Sequence, residues 1–267
     1  MNRLVAFLLL LLSLLLSLPG ADAAPFQPFD GPRPLAVLIE TSPWRMVLCA
    51  DPPKFVLYED GQVIYRKDVP DAPTRYLWKR LTPQELQRLK ATLAGFGPFR
   101  HVDKLLELAD ISDQPETKLY LNFDQTRLAT TVYGMNVFKR SPEDGRSAVA
   151  LPLSVRRLYV YLAALELPGA TPWTPAYVEA MAWDYSYATQ ASIAWPRQWP
   201  GLHAPTTIRR ADMYSIFIPG TQKDALAAFL ATQRAQGAVD IDGKKFSVSV
   251  RSVFPGEPVW RQAFARE

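Results

Sequence analysis

Side chains that can attack, ligate or shuttle a proton are sparse and scattered in these 267 residues. The two histidines, His101 and His203, lie about a hundred positions apart. No H-E-x-x-H pairs them, so the spacing of a zinc hydrolase is missing. A G-x-S-x-G elbow and an S-x-x-K pair are also missing, which removes the two commonest serine nucleophile patterns. The single cysteine, Cys49, sits in the apolar run Met46 to Ala50 and reads as a core filler. A thiol nucleophile there would need one of the two histidines brought beside it by the fold. Asp110 and Asp113 stand three apart in DISD, without the repeated acidic spacing of a calcium loop, and read as solvated loop acids. Glycosidase-type carboxylates meet only in the fold and leave no spacing to search. The residues therefore designate no catalytic group, no metal ligand and no cofactor.

Stacking is better supplied. Trp183, Tyr185, Tyr187, Trp195, Arg197 and Trp199 fall within seventeen positions, and Trp-Pro steps follow Trp195 and Trp199. Prolines hold such rings at fixed angles, and flat rings beside a guanidinium suit a sugar, a peptide proline or a partner's aromatic side chain. These six residues are the candidate ligand-binding set. The competing reading is that a long irregular loop tucks its rings into its own core for anchorage.

The elements that must carry these residues are marked clearly. FVLYEDGQVIYR predicts a hairpin about Asp60-Gly61, with Tyr58 opposite Val63 and Leu57 opposite Ile64. Both its faces are apolar, so it requires cover on both sides. LTPQELQRLKATLAGFG predicts a helix with Thr82 as cap, Pro83 in the first turn, Glu85 closing a capping box, and Gly95 or Gly97 as a left-handed stop. LYLNF and TRLATTVY form a second hairpin around Asp124-Gln125, preceded by apolar runs at Leu35 to Ile39 and Met46 to Ala50. Pro152 opens a further helix to Leu165 after a polar loop at 141–148. Pro168, Gly169, Pro172 and Pro175 then forbid continuous structure. Beyond them, Tyr177 to Trp183 and Met213 to Ile218 read as strands. Thr221 caps a helix carrying Leu226, Phe229 and Leu230, and Asp242-Gly243 turns a last hairpin with Phe246, Val248 and Val250 on one face.

These parts predict an α+β protein: antiparallel sheets with helices packed on one face, in two small modules at 34–166 and 176–267 joined by a Pro/Gly linker at 167–175. Residues 1–23 read as a signal peptide: Arg3, an apolar run from Leu4 to Leu18, the breakers Pro19 and Gly20, and small residues at Ala21 and Ala23. The run is shorter than the roughly 20 residues that span a bilayer, so cleavage after Ala23 is expected, with no transmembrane anchor afterwards. Arg3 and Asp22 leave together, so net charge stays at +4. Basic pairs such as Lys79-Arg80 and Arg209-Arg210 are scattered, which argues against nucleic acid as a partner. The expected product is exported and soluble, periplasmic or extracellular.

LYEDGQVIY, the LTPQEL helix and the strand entry SDQPETKLYL together resemble small exported bacterial proteins built around an uncharacterised LYxDGxVxY domain. The resemblance covers about residues 50 to 135, and WPRQWPGL with the final hairpin is similar to regions that accompany such domains. Turns, caps and strand entries specify a fold rather than a reaction, so the resemblance implies no catalytic residue. The expectation is a non-catalytic binding or interaction module of the bacterial cell envelope, whose partner is an envelope polysaccharide or an envelope protein. A carboxylate hydrolase and a structural accessory subunit of an envelope complex are the alternatives.

Overall fold

The structure, a computed structural model, describes residues 26–44, 51–67, 75–135 and 151–265. The expected signal peptide, Cys49 with its apolar run, and the loop at 141–148 lie outside the described residues. The rest is α+β, with two sheets and four α-helices among the described residues.

The first sheet holds β1 (Pro34–Glu40), β2 (Phe55–Tyr58), β3 (Gln62–Lys67), β4 (Arg75–Arg80), β5 (Leu105–Glu107), β6 (Glu116–Phe123), β7 (Thr126–Tyr133) and β8 (Thr171–Pro172). Their order across the sheet is β5-β7-β6-β1-β2-β3-β4-β8. All neighbours run antiparallel except β5 and β7, which are parallel. Central β1 reads PLAVLIE, apolar on both faces, and both faces are covered, as a strand without a polar side requires. On one face α1 (Pro83–Gly95) and α2 (Leu153–Ala163) set Leu89, Leu93, Val155, Leu158 and Leu162 against Leu38, Leu57 and Leu119. The opposite face, with Val37, Val56, Tyr58 and Ile64, is closed by Phe254 and Trp260 from the far end of the chain.

Sequence signals located the elements well and their details less well. The capping box of α1 forms as expected: Glu85 N–H donates to Thr82 Oγ1 at 3.2 Å, and Thr82 N–H donates to Glu85 Oε2 at 2.8 Å. The helix ends at Phe96 in ordinary right-handed geometry, however, with no left-handed glycine stop. In the first hairpin Leu57 faces Val63 and Val56 faces Ile64, one position from the expected register. The cause is a three-residue turn, in which Gly61 adopts φ +81° and donates its N–H to Tyr58 O at 3.1 Å. That shift sends Leu57 and Ile64 to opposite faces. The other two hairpins turn on two residues, Asp124-Gln125 and Asp242-Gly243, as their sequences imply.

The second sheet contains β9 (Tyr177–Asp184), β10 (Ile193–Ala194), β11 (Thr207–Arg210), β12 (Met213–Pro219), β13 (Val239–Ile241) and β14 (Lys244–Ser252), in the order β10-β13-β14-β9-β12-β11. Only β10 and β13 pair in parallel. One face packs Val178, Ala180, Ala182, Ile216 and Ile218 under α3 (Lys223–Leu230), through Leu226, Phe229 and Leu230. Thr221 does not cap α3: it lies in a 3₁₀ turn, Gly220–Gln222, and the helix starts behind Gln222 without a side-chain cap. The opposite face receives Phe26 and Phe29, whose rings meet Phe217 edge-on at 5.4 and 5.7 Å. Helix α4 (Glu257–Ala263) follows β14 and carries Trp260 onto the first sheet.

Candidate functional site

Strand β9 alternates, and its two sides differ in kind. Val178, Ala180 and Ala182 go to the α3 face, while Glu179, Met181 and Trp183 go to the other. A carboxylate in the middle of an apolar strand must be paired or it would not stay charged when buried. Glu179 is 0% exposed, and its cross-strand neighbour on β14 is Arg251, itself 4% exposed. Their side chains form a close ion pair. Arg251 Nη1 also donates to Glu257 Oε1 at 2.6 Å, and Arg261 Nε donates to the same oxygen at 2.6 Å. Arg210, at the end of β11, approaches Glu179 at 4.0 Å. Burial alone would lower the Arg251 pKa, but Glu257 and Glu179, by charge and by hydrogen bonds, more than reverse this and raise it. The guanidinium is therefore permanently charged at the floor of the site.

Above this floor lies a cavity of about 430 Å³, lined by Glu179, Met181, Trp183, Arg210, Ala211, Asp212, Met213, Arg251 and Arg261. That volume falls in the range of small-molecule sites, roughly 300–1,000 Å³. The Trp183 indole N–H is shielded from water and has no hydrogen-bond partner among the described residues. Buried indole N–H groups usually find an acceptor, so this one is an orphaned donor in the wall of the cavity. Arg210 keeps 35% of its side-chain surface exposed at the cavity, while Arg261, 32% exposed, is held to Glu257 through Nε and Nη2. The Arg210 guanidinium makes no hydrogen bond among the described residues and rests 5.8 Å from the Phe29 ring centroid. The assembly offers one solvated guanidinium, that of Arg210, a second, that of Arg261, held by Glu257, one flat ring, and two methionines.

The six residues expected to form one ligand surface are not brought together. Trp195 and Trp199 are 9% and 6% exposed and pack in the α3 core, with ring centroids 5.1 Å apart and 5.8 and 5.5 Å from Phe229. Each indole N–H is already used, by Pro200 O at 3.0 Å and by Gln222 Oε1. The Trp-Pro loop anchors itself, which places both rings out of reach of a ligand. Arg197 is exposed beside them. Tyr185 and Tyr187 stack edge-on at 4.8 Å just beyond β9, with Tyr187 75% exposed. Trp183 alone lines the cavity, on the face of the sheet opposite Trp195 and Trp199.

Sequence reading missed Glu179, Arg210, Arg251 and Arg261. Two of them carried a signal: Glu179 in YVEAMAWD and Arg251 in SVSVRS are charges placed inside otherwise apolar or small-residue strands. Their pairing across 72 positions had none. His101, His203, Asp110 and Asp113 are exposed, and among the described residues no group of three His, Cys, Asp or Glu side chains could hold a metal ion. No known protein family, curated protein or solved structure matches the chain. No helix among the described residues is long and apolar enough to cross a membrane.

Proposed function

We propose that this chain is an exported, non-catalytic binding module of the bacterial cell envelope, and that its ligand is an acidic sugar residue of an envelope polysaccharide held in the Trp183 cavity. The observation that carries the reading is the unpartnered Trp183 indole beside Arg210 and Arg261. An aromatic face stacks on the apolar side of a pyranose, and a guanidinium fork matches a carboxylate with two parallel hydrogen bonds. The leader-like residues 1–23 and the likeness of LYEDGQVIY to exported bacterial proteins support the envelope as the place.

Two acids, Glu179 and Asp212, also line the cavity, and a carboxylate hydrolase would need such a pair. Glu179 is fully buried against Arg251 and Arg210, so it meets a substrate only by giving up both partners. Binding is the reading that leaves this network intact. Titration of the protein with oligogalacturonate, followed by tryptophan fluorescence, tests it. Binding should weaken about tenfold or more in Trp183→Ala and in Arg210→Ala, as loss of one stacking or charged contact implies, and neutral oligosaccharides should bind poorly. Equal affinity for neutral and acidic sugars, or an unchanged titration in both variants, would refute the reading. Release of shortened sugar during the titration, abolished by Asp212→Asn, would establish the hydrolase instead.

A further inference from the structure

A second surface, on the first sheet, has different chemistry and does not depend on the Trp183 cavity. Strand β7 is paired with β6 along its whole length, but its other side is covered only by β5, opposite Thr131 to Tyr133, and by Asp103 just before it, whose carbonyl accepts from Thr130 Oγ1 at 2.7 Å. The direction of its free groups follows from the bonds it makes there. Thr131 N–H donates outward to Lys104 O at 2.8 Å, and Tyr133 O accepts outward from Leu108 N–H at 2.9 Å. Odd-numbered residues of β7 therefore point their N–H and C=O groups away from β6. Arg127 and Ala129 share that direction and lie beyond the end of β5, with no strand beside them. The edge is open at these two residues.

This edge forms a wall of a groove of about 740 Å³. Arg100, Lys104 and Arg127 line it, all exposed, and no carboxylate does. Pro98 and Asn122 also line it. An open edge is a template for pairing with another chain, and cations along it discourage basic strands and copies of itself. The same cations attract an acidic strand, while free backbone groups give it hydrogen bonds that a polysaccharide cannot match in period. We propose that this edge docks an extended, acidic peptide segment of a partner protein, which adds to the first sheet as a further strand alongside Arg127 and Ala129.

Fluorescence anisotropy with a labelled octapeptide of alternating Glu and Val tests the proposal. It should bind, weaken steeply as salt rises, and lose about tenfold or more in affinity in the Arg100→Glu, Lys104→Glu, Arg127→Glu variant. A peptide N-methylated at alternate residues keeps its charge and loses its strand-forming N–H groups, and it should fail to bind. Hydrogen exchange of the intact protein should show the Arg127 and Ala129 amides slowed by the unmethylated peptide, which locates the contact even if the triple variant folds poorly. The proposal is overturned if the methylated peptide binds as well, if protection falls elsewhere, or if the acidic peptide binds no better than its Lys counterpart.

Discussion

Charged residues in this molecule divide by burial, and burial sets what each is worth. Arg33 and Glu59 pair at 3.1 Å with about half of each side chain in water, so Glu59→Gln should change stability by no more than about 1 kcal/mol. Glu257 is 1% exposed and neutralises Arg251 at the centre of the network. Its removal leaves a buried guanidinium with Glu179 alone, and Glu257→Ala should cost about 3 kcal/mol or more. Urea denaturation of both variants checks the contrast, and similar losses would mean that the network is better hydrated than its burial implies. Glu85 offers a test of sign. Its hydrogen bond from the Thr82 backbone, then those with Lys79 and the Thr82 hydroxyl, hold its pKa below the ordinary carboxylate value. A lowered pKa means a contribution present at neutral pH and lost as pH falls through that lowered value. The stability gap between the natural protein and Glu85→Gln should therefore close on acidification, and a gap constant with pH would refute the assignment. The Glu85 box was legible because cap and carboxylate stand three positions apart. Glu257 and Arg251 stand only six apart but meet because β14 ends and α4 begins between them, and no local pattern announces that.

At the level of elements, turns decide register, and here two Asp-Gly sequences behave differently. Asp242-Gly243 makes a two-residue turn with both residues at positive φ, 51° and 78°. Asp60-Gly61 lies within a three-residue turn, because Arg80 draws Asp60 to itself at 2.7 Å and Leu81 N–H donates to Gly61 O at 2.9 Å. The dipeptide alone reads the same in both places. Register was thus legible for one hairpin and not for the other, since the deciding contacts come from twenty residues downstream. The same difference predicts unequal cost for one substitution. A Cβ on Gly243 meets nothing within 4 Å, so Gly243→Ala carries only the left-handed penalty, about 1–2 kcal/mol. On Gly61 it would stand 2.8 Å from Leu81 O, and Gly61→Ala adds a backbone clash to that penalty. Thermal denaturation should show the larger fall for Gly61→Ala. Equal falls would mean that the β4–α1 junction yields easily.

Across the whole molecule, the two sheets are laced by segments that cross between them. Phe26 and Phe29 precede β1 of the first sheet in the chain, yet they pack on Phe217 of the second. In return Phe254 and Trp260, which follow the second sheet, fill the open face of the first. Tyr58 fastens the exchange: it donates to Pro255 O at 3.1 Å, and burial first, then Glu257 and Asp60, raise its pKa well above the ordinary tyrosine value, so the donor stays protonated. The sequence shows a Pro/Gly stretch at 167–175 between two runs of strands, and an apolar second face on the hairpin that needed a cover. It does not show that the cover comes from some 200 residues away, because nothing in EPVWRQA says which surface Trp260 will meet. Neither sheet can lose the other without exposing apolar surface: Val37, Val56, Ile64 and Tyr76 on one side, Phe217 on the other. Such surface is worth about 25 cal/mol per Å², which ties the two unfolding events together. Equilibrium unfolding in urea should therefore be a single transition, coincident by tryptophan fluorescence and by far-ultraviolet circular dichroism. Trp260→Ala removes the largest fully buried side chain and should both lower the midpoint and split the transition, with apolar dye binding in the interval. Two separate transitions in the natural protein would mean that the crossing segments are too weak to couple the sheets, and Trp260→Ala should then leave the melting of the second sheet unchanged.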